Sequence, residues 1–288
     1  MPVLYVVATP IGNLEDITLR ALRILGGVKL IAAEDTRKTR RLLTKYNIKT
    51  PMTSYYEHNK ITKLDYILDR LQKGDIALVS EAGMPGISDP GYELIKAAGQ
   101  RNMEVVPVPG PSAVTAALAV SGLPTDRFLF AGFLPHKAND RKRALKSVAG
   151  ESGTIILLET PHRLAAALDD ILDILSDRKL AVCRELTKLH EEVFRGTVSE
   201  AIRHFSQPRG EFTLVIEGKA KDKQPGVTED IEKQLHELYL GGAKAREAIG
   251  VVAEQTGLSR KELYKSWLKL DAVWQREQDS CKNTERSK

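Results

Sequence analysis

Through Leu123 the chain alternates short Val, Ile and Leu runs with longer segments whose apolar positions recur at helical spacing, the pattern of strands followed by covering helices. The runs at 3–8, 28–33, 76–80 and 104–108 are near-continuous rather than alternating. Such runs are expected of strands buried on both faces of a mostly parallel sheet. Helices are predicted between them at 19–25, 39–46, 61–73, 91–101 and 112–120. A second set of strands follows at 128–134, 154–159, 180–185, 191–197 and 211–217, with helices at 141–148, 162–175 and 199–205. Strands at 180–185 and 191–197 have no helix between them, so they predict an antiparallel pair and a mixed second sheet.

Two polar, turn-rich stretches divide the chain. One is Gly122-Leu-Pro-Thr-Asp-Arg127, the other the segment from Gly218 to Gly226, which ends in Pro-Gly. Beyond the second the chain reads as helical. Helices at 245–255 and 259–270 flank Gly257, and Ser259-Arg-Lys-Glu262 has the spacing of a capping box. The resulting fold class is α/β, with a mostly parallel sheet in 1–122 and a mixed sheet in 123–220. A small helical module at 227–270 follows, then 271–288, whose balanced charges and low apolar content predict a disordered tail.

Composition sharpens this outline by exclusion. Two cysteines in 288 residues, Cys183 and Cys281, fit neither a disulfide framework nor a paired zinc or redox motif, so a reducing, cytoplasmic setting and no metal site are expected. No apolar run approaches the roughly 18 residues of a membrane span. The net charge of +5 permits a polyanionic partner without requiring one.

The chemistry concentrates in four segments that follow predicted strands of the first half. They are Thr9-Pro-Ile-Gly-Asn13, Glu34-Asp-Thr-Arg37, the stretch from Glu81 to Gly91, and Pro109-Gly-Pro-Ser-Ala113. In open α/β sheets ligands bind beyond the carboxyl ends of the strands, so these loops converge on one cleft. The third holds three Gly and two Pro in eleven positions, more than a turn needs. No dinucleotide fingerprint and no P-loop occurs, and the first, third and fourth loops lack basic residues. A site of backbone groups and small side chains suits a ligand of little anionic charge, such as a nucleoside or S-adenosylmethionine.

Together the strings T-P-I-G-N-L-E-D-I-T, A-A-E-D-T-R, E-A-G-M-P-G-I-S-D-P-G, V-P-G-P-S-A and G-F-L-P resemble the ribosomal small-subunit RNA methyltransferase I family of the tetrapyrrole methylase superfamily. L-L-E-T-P-H-R at 157–163 and R-E-L-T-K at 184–188 extend the resemblance, which covers about residues 1–270. It implies two α/β domains, usually in a homodimer, that hold S-adenosyl-L-methionine in the cleft between them. The implied reaction is 2′-O-methylation of a cytidine in the decoding region of 16S rRNA. By motif, the implied cofactor contacts are Pro10 and Ile11, Ala82, Gly83, Met84 and Ile87, Ser112 and Ala113, then Thr160 and Thr213 from the second domain. Family members commonly carry Asp and Thr where this chain has Glu81 and Met84, which preserves backbone contacts there but not side-chain ones.

A ribose hydroxyl is a poor acid, so a nearby acceptor or orienter is sought among Asp35 and Asp89, with Glu34, His58 and Glu185 as further candidates. Each of the first two has a competing structural role. Asp89 precedes Pro-Gly and is placed to cap the next helix; Asp35 is placed to pair with Arg37 or Arg40. Phosphate contacts are expected from Arg37, Lys38, Arg40 and Arg41, in a stretch from 36 to 56 with six basic residues and no acidic one. Tyr55, Tyr56 and His58 follow and are candidates for stacking on a splayed base. Two further basic clusters lie at 137–146 and in the C-terminal module. The expected partner is 16S rRNA or the 30S subunit, with no membrane. Two alternatives remain open at this point: a methyltransferase for a tetrapyrrole or other small molecule, and a helix-turn-helix DNA-binding regulator.

Overall fold

The computed structural model describes residues 2–220 and 227–285. It divides into two compact units, Met1–Lys219 and Ala220–Lys288. The first unit begins with β1 (Val3–Val7), α1 (Leu19–Gly27), β2 (Leu30–Ala33), α2 (Thr36–Lys45), β3 (Met52–Ser54), α3 (Lys60–Leu71), β4 (Ile76–Val79), α4 (Tyr92–Gln100), β5 (Glu104–Val108) and α5 (Ala113–Ser121). Its five strands form an all-parallel sheet in the order β3-β2-β4-β1-β5. The near-continuous apolar runs are explained by two cores. Val7, Ile31, Ala33, Ala77 and Val79 face α1 and α2, whereas Leu4, Ala32, Ile76 and Leu78 face α3 and α4. β3, which the sequence pattern does not signal, is three half-buried residues paired along the sheet edge with β2. Its register supplies the strand character that Met-Thr-Ser lacks.

The same unit continues with β6 (Phe128–Phe133), α6 (Ala138–Val148), β7 (Thr154–Glu159), α7 (Pro161–Leu175), β8 (Lys179–Arg184), β9 (Glu192–Thr197), α8 (Val198–His204) and β10 (Phe212–Ile216). The second sheet runs β6-β7-β10-β8-β9. β6 and β7 are parallel and the other pairings antiparallel, including the expected β8–β9 pair. Helices α6, α7 and α8 cover one face. The other face receives α5: Ala117 and Leu118 pack on Ile156, Ala181, Cys183 and Val215. α5 thus follows the first sheet in sequence but packs on the second.

In the second unit α9 (Glu229–Leu240), α10 (Ala245–Thr256) and α11 (Arg260–Glu285) surround Leu235, Val252, Leu263 and Trp267. The Ser259 hydroxyl accepts the Glu262 amide hydrogen at 3.2 Å and donates to the Glu262 carboxylate at 2.9 Å, closing the predicted cap. Where a disordered tail is expected from 271, α11 continues to Glu285. Trp274, seven residues after Trp267 on the same helix face, is buried and stacks on His236 at 4.9 Å, which holds the helix beyond the point where apolar residues thin out. Residues 286–288 lie outside the described residues.

α6 is tied to α7 by a buried pair, Arg141 Nε donating to Asp170 Oδ2 at 2.6 Å. Removing Arg141 leaves the buried Asp170 carboxylate with only the half-exposed Lys142, at 3.4 Å, beside it. Arg141→Met is expected to cost about 3–5 kcal/mol in urea denaturation, and Arg141→Met with Asp170→Leu to recover most of that loss. Equal losses in the single and double variants would show that the pair's charge balance does not matter.

Candidate active site

Because every strand of the first sheet points the same way, the loops after β1, β2, β4 and β5 emerge at one edge. The first and third loops are bound to each other: the Thr9 amide donates to Gly83 O and the Gly83 amide to Thr9 O, both at 2.9 Å. The third loop then folds back on itself. A Cβ on Gly91, whose φ is +155°, would lie 2.8 Å from the Gly86 nitrogen, so only glycine permits this return. From the second half, the 185–191 loop closes on the first. The Asn13 amide donates to Thr187 Oγ1 at 3.0 Å, and a Cβ on Gly12 would sit 2.5 Å from the Lys188 side chain. Glu185 and Thr187 hold this loop at positive φ, 52° and 65°, a conformation unfavourable for both and most of all for the β-branched Thr.

These loops and the facing sheet enclose a cavity of about 290 Å³. Nine of the ten positions expected at the cofactor line it: Ile11, Ala82, Gly83, Met84, Ile87, Ser112, Ala113, Thr160 and Thr213. Pro10 is buried beside Ile11 and does not reach the cavity. The lining also contains residues the motifs do not mark. Leu158 and Cys183 flank Thr213 across neighbouring strands, so their presence follows from the register of β7, β10 and β8. Phe133 and Leu186 come from the G-F-L-P and R-E-L-T-K strings, where an apolar residue beside a turn is the available signal.

The cavity wall is acidic. Glu34, Glu81, Asp89, Glu159 and Glu211 line it, and none of the lining residues is Lys or Arg. Three of the five have a basic partner just outside: Lys38 binds Glu81, Arg163 approaches Glu159 at 3.3 Å, and Lys188 meets Glu211 at 3.0 Å. Glu34 and Asp89 have none among the described residues. Burial raises the Glu34 pKa, with Lys38 opposing and Asp35 and Glu57 adding to the rise. Glu34 Oε2 accepts the Glu81 amide hydrogen at 3.0 Å. Burial, then the charge of Glu34, pushes Asp89 up to about 7, against a smaller opposing effect of the Ser80 hydroxyl.

Asp35 takes the structural role weighed for it, a pair with Arg37, and not a place in the cavity. It is the N-cap of α2, Oδ1 accepting the Arg37 and Lys38 amide hydrogens at 2.8 and 3.3 Å, and Oδ2 lies 3.3 Å from the Arg37 guanidinium. Burial would raise its pKa, but these donors hold it below the usual range. It does not line the cavity. Asp89, by contrast, is not a cap, since the N-cap of α4 is Gly91 with no side-chain bond. Glu185 is held by Lys188 at 2.9 Å and by the Glu211 amide, and His58 is exposed beside Tyr56. Neither reaches the cavity.

Of the residues expected at phosphate, Arg37, Arg40 and Arg41 line a shallow groove on α2 with Thr36, Thr44 and Lys45. Lys38 instead points to the third loop and braces Glu81. Tyr55 cannot stack on a base, because it is fully buried among α3 and α4; Tyr56 remains exposed. No described helix is long and apolar enough to cross a membrane.

A family model described as Tetrapyrrole (Corrin/Porphyrin) Methylases matches residues 3–202. A Synechocystis protein named Ribosomal RNA small subunit methyltransferase I is 50% identical over 277 residues, 94% of this chain and 99% of that protein. A Thermotoga maritima protein of the same name is 53% identical over 219 residues, 75% of this chain and 98% of its own length. Among solved structures, the methyltransferase CobJ matches with a TM-score of 0.59 at 15% identity, over 76% of this chain and 95% of that one. Uroporphyrin-III-C-methyltransferase from Thermus thermophilus matches with a TM-score of 0.53 at 22% identity, over 75% and 94%. At these identities the two structures speak for the fold alone. The chain belongs to the tetrapyrrole methylase family and, within it, to the ribosomal RNA small subunit methyltransferase I family.

Proposed function

We propose that the protein transfers a methyl group from S-adenosyl-L-methionine to the ribose 2′-hydroxyl of a cytidine in the decoding region of 16S rRNA. The observation that carries this reading is the uncompensated Glu34 and Asp89 carboxylates inside a loop-built cavity, on the same half as the basic groove of α2. When bound, S-adenosylmethionine supplies a methyl group made electrophilic by a sulfonium, on a molecule of net positive charge. The lining fits such a ligand. It offers the Ala82 backbone amide, small hydroxyls at Thr160 and Thr213, and apolar contacts at Ile11, Met84 and Leu158.

Asp89 balances the positive charge and Glu34 receives the proton. Burial makes Glu34 a stronger base than a solvated carboxylate, and with Oε2 on the Glu81 amide, Oε1 is the atom to take hydrogen from the attacking hydroxyl. Asp35 fixes the start of α2, which sets the direction of Arg37, Arg40 and Arg41 toward phosphate. In this reading 1–122 and 123–220 are two domains that hold the cofactor between them. The edge strand β6, with exposed Phe128, is a face for a second copy of the chain, and a homodimer in the cytoplasm is the proposed working form. A bulky tetrapyrrole substrate would leave the α2 groove without a role.

The reading is tested with labelled S-adenosylmethionine and 30S subunits or naked 16S rRNA lacking the modification, mapping the label by nuclease digestion. Transfer to one cytidine ribose is expected; no transfer to either RNA form overturns the reading. In the same assay Glu34→Gln is expected to lower kcat by about a hundredfold while leaving KM for 30S unchanged.

Asp89 gives a pH signature. Its pKa in the free protein is about 7, and a bound cation favours the ionised form, so affinity is full above that value and falls as pH drops through it. Calorimetry should find S-adenosylmethionine binding weakening by up to about tenfold per pH unit below 7. Asp89→Asn should bind weakly at pH 8 with little pH dependence. For folding the sign is opposite: a raised Asp favours the native state at low pH and loses that contribution as pH rises through 7. The unliganded Asp89→Asn protein should therefore melt higher than the parent at pH 8.

A further inference from the structure

The helical unit carries a surface that the cleft chemistry leaves unused. On α11, Leu263, Trp267 and Trp274 face the core, while Lys261, Tyr264, Lys265, Leu268 and Lys269 are exposed. The helical repeat puts Lys261, Lys265 and Leu268 in one strip opposite the core side, with Tyr264 and Lys269 along its edges. Glu262, the acid of the first turn, is occupied at the Ser259 cap. Among the described residues no acid lies in ion-pair range of Lys261, Lys265 or Lys269. The face is also fixed in place. α10 and α11 are joined by only Gly257, Leu258 and Ser259, with Gly257 at φ +71° and Leu258 buried in the core.

Not every relative matches the whole chain. The Thermotoga maritima protein is matched over 98% of its length by 219 residues, the length of the first unit alone, and bears the same name as relatives matched over nearly the whole of this chain. A separable unit with an unpaired cationic face is therefore an addition to the chemistry, not a component of it.

We propose that this face of α11 is a second RNA-docking surface, which grips phosphates of folded rRNA away from the target ribose and contributes affinity for the particle rather than catalysis. The proposal rests on the rRNA reading above. The helix-turn-helix outline would send α11 into the major groove of DNA, but the major groove of A-form RNA is too narrow for a helix. Lysines are point charges that neutralise phosphate without reading bases, so the contact is to backbone and independent of sequence. Tyr264 and Leu268 supply apolar contact with exposed sugar or an unstacked base beside the phosphates.

The test uses the full chain with Lys261→Glu, Lys265→Glu and Lys269→Glu combined, beside the three Lys→Arg changes. All three side chains are exposed, and S-adenosylmethionine affinity reports whether the first unit is intact. For the charge-reversed protein KM for 30S is expected to rise about tenfold or more, with kcat and S-adenosylmethionine affinity unchanged. Its log–log salt slope for RNA binding should be shallower by about two to three, one per lost phosphate contact. The arginine version should keep the parent KM. An unchanged KM and salt slope overturn the proposal, and so does tight binding of duplex DNA through this face with KM for 30S unaffected. Failure of the unmodified protein to methylate RNA at all sinks the rRNA reading, and this proposal with it; loss confined to the charge-reversed protein supports the docking surface.

Discussion

The site depends on one apolar seam. α5 follows the first sheet in the chain, but its Ala117 and Leu118 are buried against Ile156, Ala181, Cys183 and Val215 of the second sheet. Only one side of α5 is buried there, since Thr115, Ala119 and Val120 are exposed, and the small Ala117 lets the helix lie close on the sheet. The seam fixes where the second sheet stands relative to the loops at the end of the first. Ser112 and Ala113, at the start of the same helix, line the cavity, and so does Val114. One helix therefore sets the spacing between the halves and forms part of the wall. The Thr9–Gly83 bridge and the Asn13–Thr187 contact close the same arrangement from the other side.

Within that frame the electrostatics oppose stability. Two carboxylates outside any ion pair among the described residues are held in a partly buried wall, where burial raises the proton affinity of both and the charge of Glu34 raises that of Asp89 further. A neutral pair of side chains would make a more stable wall. A cationic ligand reverses the balance, because ionised Asp89 and Glu34 then face positive charge instead of one another. The paired acids around them, Glu81 with Lys38 and Glu211 with Lys188, differ in kind: they fasten loops at the rim. The strained backbone at Glu185 and Thr187 belongs to the same economy of function over stability, since the strained loop is the one that bridges the halves.

Much of this was legible in the sequence, for identifiable reasons. Loops rich in Gly and Pro after buried strands mark close backbone approach, and seven of the eight loop residues that the family resemblance implies at the cofactor line the cavity, with Thr160 and Thr213 from the second half. Pro10 is buried and lies outside the lining, where its neighbour Ile11 stands instead. Leu158 and Cys183 were invisible because strand register, not local sequence, sets them beside Thr213. Asp35 and Asp89 were ambiguous for a similar reason. Asp89 reads as a cap and Asp35 as a partner of Arg37 or Arg40, and only the observed backbone separates the roles: Asp35 caps α2 and pairs with Arg37, while Asp89 caps nothing and lines the cavity. Tyr55 is misread because a Tyr-Tyr pair at a strand end has one inward and one outward member, and composition does not say which. The expected tail is misread because a single Trp274, reaching back to His236, outweighs a run of balanced charges.

The charge distribution follows the same division of labour. A modest net charge conceals an acidic cavity and basic outer surfaces, and the two cannot be exchanged. Lys or Arg in the cavity wall would repel a cationic methyl donor, and acids along α2 would repel the RNA backbone. The sequence keeps them apart by position on the fold. Glu34, Glu81 and Asp89 follow strands of the parallel sheet, and Glu159 and Glu211 face them from the paired ends of β7 and β10. The unpaired bases lie on exposed helix faces, where they meet solvent until a polyanion arrives. Lys38 is the exception that joins the two regions: it starts in the basic stretch of α2 and ends on Glu81 at the rim. Through that ion pair, the first turn of the basic helix is fastened to the loop that lines the acidic cavity.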